Sequence, residues 1–126
     1  MPVAAEIGAS FCLNMFSSTL TVSEGRCLIT TYRERLKNSA FDDEATAAVA
    51  IAGVCAETTE RAQSLARSTS SFILPRVVGD PGTCRSLLED VAVGIGVSHL
   101  IFVDLCSSIH DRLRSYSLLA EQLLRD

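Results

Sequence analysis

The chain has 126 residues, 48% hydrophobic and 21% charged, with a net charge of −4, a pI near 5.1 and a mean hydropathy of +0.28. One domain over residues 1–126 is expected at this size. No basic run exceeds Arg33, Arg35 and Lys37, which Glu34 interrupts, and tryptophan is absent, so neither a nucleic-acid footprint nor a base-stacking platform is expected.

No apolar run reaches the roughly 18 residues of a membrane helix. The windows 45–56 and 91–106 are the most apolar; acidic residues bracket the first, and His99 and Asp104 interrupt the second. The N-terminus lacks the basic and apolar regions of a secretory signal. This composition is apolar for a small domain, and an apolar surface covered by a partner is one way to carry it.

In chain order, residues 4–16 place Ile7, Phe11, Met15 and Phe16 at spacings that fit a short amphipathic helix. The stretch 17–32, SSTLTVSEGRCLITTY, has two β-branched runs around Ser23-Glu24-Gly25, which reads as a β-hairpin. A rival reading makes Thr21-x-x-Glu24 a capping box that opens a helix from Val22 to Leu36. The hairpin is preferred because Thr and Ile cluster where a helix favours unbranched chains.

Asp42, Asp43 and Glu44 then open an alanine-rich segment read as one long helix over 42–67, apolar on two faces. Residues 72–78 form a strand candidate in which Pro75 cannot donate to a ladder. A turn at 79–82 and one or two helical turns over 83–90 follow. Residues 91–97, VAVGIGV, alternate β-branched and small residues and read as a strand, with 100–105 as its partner. Ser107 or Ser108 caps a final helix that carries Ile109, Leu113, Tyr116, Ala120 and Leu123 along one stripe.

The order is α-β-β-α-β-β-β-α, an α+β domain: a five-stranded antiparallel sheet with the long central helix on one face and the terminal helices on the other. Cys12, Cys27, Cys55, Cys84 and Cys106 are widely spaced with no CxxC pair, so no zinc or redox motif is expected and most of the thiols read as reduced core residues.

Four stretches carry a family likeness: STLTVSEGRCLITTY, DDEATAAVAIAGVCAETTERA, SSFILPRVV, and the segment from Val91 to Leu124. In this order they resemble the Roadblock/LC7 (profilin-like) family, and among its members the roadblock subunits of the Ragulator complex, in fungi the EGO complex. The resemblance implies a non-catalytic scaffold that forms heterodimers, or homodimers, with another roadblock protein. It would support Rag-type small-GTPase nutrient signalling to TORC1 at the cytosolic face of late endosome, lysosome or vacuole, reaching membrane only through partners. The implied dimer interface is Ala47, Ala50, Ile51, Val54, Thr58, Phe72, Leu74 and Arg76. No cofactor or metal is expected. The chain departs from the pattern in its short first helix and in an apparent insertion at 80–90.

Alternatives are an all-α adaptor or viral structural protein with helices at 22–37 and 82–125, a small-GTPase regulator of the bacterial roadblock type, and a small α/β enzyme using Asp104 and a histidine. His99 with Asp104 and His110 with Asp111 suggest acid–base work only weakly; a turn histidine and a helix-surface histidine are the plainer readings. Ser107-Ser108 lacks the glycines of a nucleophile elbow, and no GK[ST] follows the glycine pairs, so no phosphate loop is expected.

Overall fold

A computed structural model describes residues 4, 10–17, 19–37, 46–67, 73 and 75–124. The elements are β1 (Phe11–Asn14), α1 (Val22–Lys37), β2 (Ala47–Cys55), α2 (Thr59–Ala66), β3 (Pro75–Gly79), α3 (Pro81–Ile95), β4 (His99–Asp104) and α4 (Ile109–Leu123). Among the described residues strand and helix alternate, and every strand pairing is parallel. This is an α/β arrangement, and the expected five-stranded antiparallel α+β sheet is not formed.

β2 is central. Its register runs Phe11↔Ala47 to Asn14↔Ala50 with β1, His99↔Ala48 to Asp104↔Gly53 with β4, and Pro75↔Ala52 to Gly79↔Cys55 with β3. Phe11 and Met15 donate to the carbonyls of Thr46 and Ala50, and Ala56 donates to Gly79, whereas Leu105 donates to Gly53. Bonding groups of a strand alternate sides, so β1 and β3 follow one another along one edge of β2 and β4 lies along the other.

The segment read as the long helix is therefore a strand followed by a separate short helix. A strand flanked on both edges and covered on both faces reads as one continuous apolar run, and almost every residue of AAVAIAGVC is buried. Val49, Ile51 and Cys55 face α1, α3 and α4, while Val54 and Ala56 face α2 together with Ala62 and Cys106. Alanine's helix propensity is a weak prior that this burial overrides. The acidic opening at Asp42, Asp43 and Glu44 lies outside the described residues.

The preferred hairpin at 17–32 is likewise a helix. Thr21 N donates to Glu24 Oε1 and Glu24 N to Thr21 Oγ1, both at 3.1 Å, which completes the capping box of the rival reading. Gly25, Ile29, Tyr32 and Leu36 form the buried stripe of α1. Thr31 is accommodated because its hydroxyl donates back to the Cys27 carbonyl at 2.9 Å.

VAVGIGV is the end of α3, not a strand. Asp80 caps that helix by accepting from Thr83 N at 2.8 Å, and Pro81 sits in its first turn. Gly94 lets α3 approach α1, and Gly96 ends α3 at φ 87°, the left-handed conformation a glycine adopts freely. From α1, Arg26 donates to Gly94 O at 3.0 Å and Arg33 to Gly96 O at 2.6 Å, satisfying the final carbonyls.

Strand β3 begins at Pro75, where the missing donor does no harm to the ladder. The final helix is as read, with Ser108 as its cap, accepting from Asp111 N at 3.3 Å. Its buried residues, however, are Ser115, Leu118 and Leu119. The stripe of Ile109, Leu113, Tyr116 and Leu123 faces outward.

Candidate active site

Three strands end in the same local pattern. β2 runs into Thr58, whose hydroxyl accepts from Arg61 N at 3.1 Å and caps α2. β3 runs into Asp80, and β4 leads within a few residues to Ser108. Because the strands are parallel, all three caps gather at their carboxyl ends, and ligands of open parallel sheets bind there.

A cleft of about 570 Å³ opens at this end. Its floor holds Cys55, Ala56 and Leu65; its walls hold Glu57, Thr58 and Arg61 from the β2–α2 side and His110, Asp111 and Arg114 from α4. Two ion pairs span it: Arg114 Nη2 lies 2.9 Å from Glu57 Oε1, and Arg61 Nη2 lies 3.7 Å from Asp111 Oδ1. Arg61, Arg114 and Glu57 are each at least half exposed, though Asp111 is 24% exposed, so the pairs hold little energy and can be exchanged for contacts to a ligand.

Below the floor the polar groups are paired with one exception. Cys55 N donates to the buried Ser115 hydroxyl at 3.1 Å, tying β2 to α4. Asp104 Oδ1 accepts from Cys106 N at 2.9 Å and lies 3.9 Å from Arg112 Nε, while Asp104 Oδ2 is buried with no hydrogen-bond partner among the described residues. Arg112 also donates to Cys106 O at 2.9 Å.

Cys55 and Cys84 are buried in contact. The hydrogen bond between them pushes the Cys84 thiol up, and burial pushes it further. Burial first, then the nearby Asp104, raises Cys106 to about 12. Cys84 and Cys106 therefore stay protonated and inert.

The sequence-predicted residues fall in different places. Ala47, Ala50, Ile51 and Val54 are buried within β2 by the chain's own elements. Thr58 is the α2 cap in the cleft wall. Arg76 is half-buried on β3, where it donates to Met15 O at 2.8 Å and Leu20 O at 2.5 Å; burial lowers its pKa. Phe72 and Leu74 lie outside the described residues.

Asp104 makes a local turn bond to Cys106, and His110 joins the cleft. His99 is at the opposite end of the sheet, in a smaller cavity of about 200 Å³, so no site unites the two histidines. Sequence reasoning missed Arg61, Arg114 and Glu57. The signal that marks them is the repeated passage from a strand into a Ser, Thr or Asp helix cap.

No family model matches the sequence, and no curated protein matches it. Solved structures do. The crystal structure of apo-MsnO8 is 26% identical, with a TM-score of 0.75, over 97% of this chain and 47% of that one. The crystal structure of the monooxygenase RslO1 from Streptomyces bottropensis is 18% identical, with a TM-score of 0.74, over 98% of this chain and 43% of that one. The chain thus spans less than half the length of each.

These likenesses and the parallel sheet overturn the Roadblock/LC7 reading, and with it the Ragulator scaffold, its small-GTPase and TORC1 role, the bacterial-type regulator and the all-α alternative. The non-catalytic reading rested on the same resemblance and loses its ground with it. The ground for placing the chain at an endosomal or vacuolar surface goes too. Among the described residues no helix is long and apolar enough to cross a membrane.

Proposed function

We propose that this chain is part of a monooxygenase-type enzyme and that the cleft between α2 and α4 contacts the substrate or a redox cofactor. The observation that carries the reading is the position of the cleft, at the carboxyl ends of parallel strands in a fold shared with a monooxygenase.

Monooxygenation places one atom of dioxygen in the substrate and reduces the other to water, consuming two electrons and two protons. The electrons come from a redox group. Among the described residues no three His, Cys, Asp or Glu side chains are grouped to ligate a metal ion. The residues of this cleft would bind and orient. Cys55, Ala56 and Leu65 offer an apolar floor to an organic body. The first turns of α2 and α4, with Arg61 and Arg114, suit an anionic group that displaces Asp111 or Glu57. His110 lines the cleft from α4 and is exposed to solvent.

The test is oxygen uptake by the purified chain with flavin mononucleotide and NADH and, separately, with ferrous iron and ascorbate. Uptake above the protein-free control with one pair is expected, reduced at least about tenfold in an Arg61→Ala/Arg114→Ala variant with unchanged circular dichroism. Absence of both binding and uptake with either pair would sink the reading.

A further inference from the structure

Cys55 is the last residue of β2 and Cys84 lies in the first turn of α3. Both are enclosed, and they pack in one cluster with Ile51, Val77 and Leu88. Two bonds fix where the Cys84 sulfur stands: it donates to Gly79 O at 3.4 Å and to Val54 O at 3.7 Å. Val54 precedes Cys55 in the chain, and Gly79 is the register partner of Cys55 on β3. The Cys84 sulfur is thus held against the sheet at the level of Cys55, where the two thiols hydrogen-bond to one another. Buried thiols ordinarily serve as small apolar side chains. Access separates this pair from core filling, because Cys55 also lines the floor of the cleft.

We propose that Cys55 and Cys84 form a reversible disulfide when a hydroperoxide enters the cleft. The order of events follows from the placement of the two sulfurs. Cys84 keeps its proton and is closed to solvent, whereas Cys55 is reached from the cleft. The hydrogen bond with Cys84 lowers the pKa of Cys55, so the negative charge of the pair rests on Cys55. With hydrogen peroxide, the Cys55 thiolate attacks one oxygen. A sulfur–oxygen bond forms, the oxygen–oxygen bond breaks, and hydroxide leaves and takes up the proton that Cys55 had lost. The electrophile then within reach of Cys84 is the Cys55 sulfenic acid. The sulfur–sulfur bond forms, the sulfur–oxygen bond breaks, and hydroxide leaves with the Cys84 proton as water. Two thiols lose two electrons and two protons, and the peroxide becomes two waters.

Cys106 supplies the contrast within the same domain. It is equally buried but packs in a different cluster, with Val54, Ala56 and Ala62, and takes no part in the pair. The new bond ties the carboxyl end of β2, and with it the cleft floor, to the start of α3, closing a loop over residues 56–83 that the unfolded chain leaves open. The inference does not depend on the oxygenation proposed for the cleft.

The test treats the full chain, in a Cys12→Ser/Cys27→Ser background with unchanged circular dichroism, with hydrogen peroxide, then denatures and alkylates it. Mass spectrometry is expected to show the loss of two hydrogens and a single alkylated thiol, Cys106. Tryptic peptides 38–61 and 77–85, which carry Cys55 and Cys84, are expected to be joined until dithiothreitol separates them. With Cys84→Ser, Cys55 is expected to gain oxygen atoms in place of the cross-link; with Cys55→Ser, Cys84 stays reduced. Three alkylated thiols, at a peroxide dose that fully oxidises glutathione in a parallel tube, overturn the proposal. So does a cross-link that includes Cys106, or oxygen retained on Cys55 while Cys84 is present.

Discussion

Gly94 on α3 lies so close to Val22 on α1 that a Cβ on the glycine would stand 2.6 Å from Val22 Cγ1. Gly25 makes the reciprocal approach, with an added Cβ 3.2 Å from Ile95 Cδ1. The two helices thus cross on hydrogen where other helices cross on side chains. Gly94→Ala gains up to about 1 kcal/mol of helix propensity and incurs the larger clash with a β-branched side chain. A net loss of about 1–2 kcal/mol is expected from the urea midpoint. Val22→Ala in the same chain should recover part of it, and additive losses from the two changes would argue against the contact.

Ser115 is the polar residue that the inner face of α4 buries completely, and its hydroxyl is the acceptor for Cys55 N. Ser115→Ala leaves that amide unpaired inside the domain, at a cost of about 1–3 kcal/mol. Ser115→Thr, which keeps the hydroxyl, separates loss of the bond from altered packing. Thermal melts of the two variants should differ, with Ala the less stable.

Asp80 and Glu24 both accept helix-capping bonds that hold their carboxyls below the usual range, through Thr83 and Thr21 respectively. The folded state therefore binds protons less readily than the unfolded one. Stability from these groups is present above the ordinary carboxylate values of 3.8 and 4.5 and is lost as pH falls through the lower folded values. The melting temperature should fall on acidification below about pH 4. Asp80→Asn should flatten part of that limb; an unchanged acid limb would contradict the assignment.

Of the five thiols, Cys12 and Cys27 are exposed, and Cys55, Cys84 and Cys106 are buried. An aromatic disulfide reagent at mildly alkaline pH should titrate two thiols quickly and the remaining three only with denaturant. Rapid modification of Cys106, whose pKa stands near 12, would show that the layer between β4 and α2 opens.

Thr58 holds the first turn of α2 and so the position of Arg61. Thr58→Ala is expected to cost about 1 kcal/mol as a lost cap. Arg61→Ala, at a side chain 57% exposed, should leave the melting temperature almost unchanged. If Arg61→Ala also leaves ligand binding in the cleft unchanged, the role assigned to that guanidinium fails.

Local chemistry in the sequence determined the ends of elements. The Thr21–Glu24 capping box and the Ser108 cap depend on bonds between near neighbours and need no distant contact, and so does the Asp80 cap, although 79–82 reads as a plain turn in the sequence. The apolar stripe of α4 is legible from its helical spacing, though not which way it faces.

Only the tertiary structure decided what lies between those ends. AAVAIAGVC is a strand because two edges and two faces are all occupied, and small side chains then serve close packing and not helix propensity. VAVGIGV is helical because Gly94 and Gly96 meet α1 and its arginines. The cleft joins Glu57 to Arg114 across 57 residues, a pairing created when parallel strands bring their carboxyl ends together.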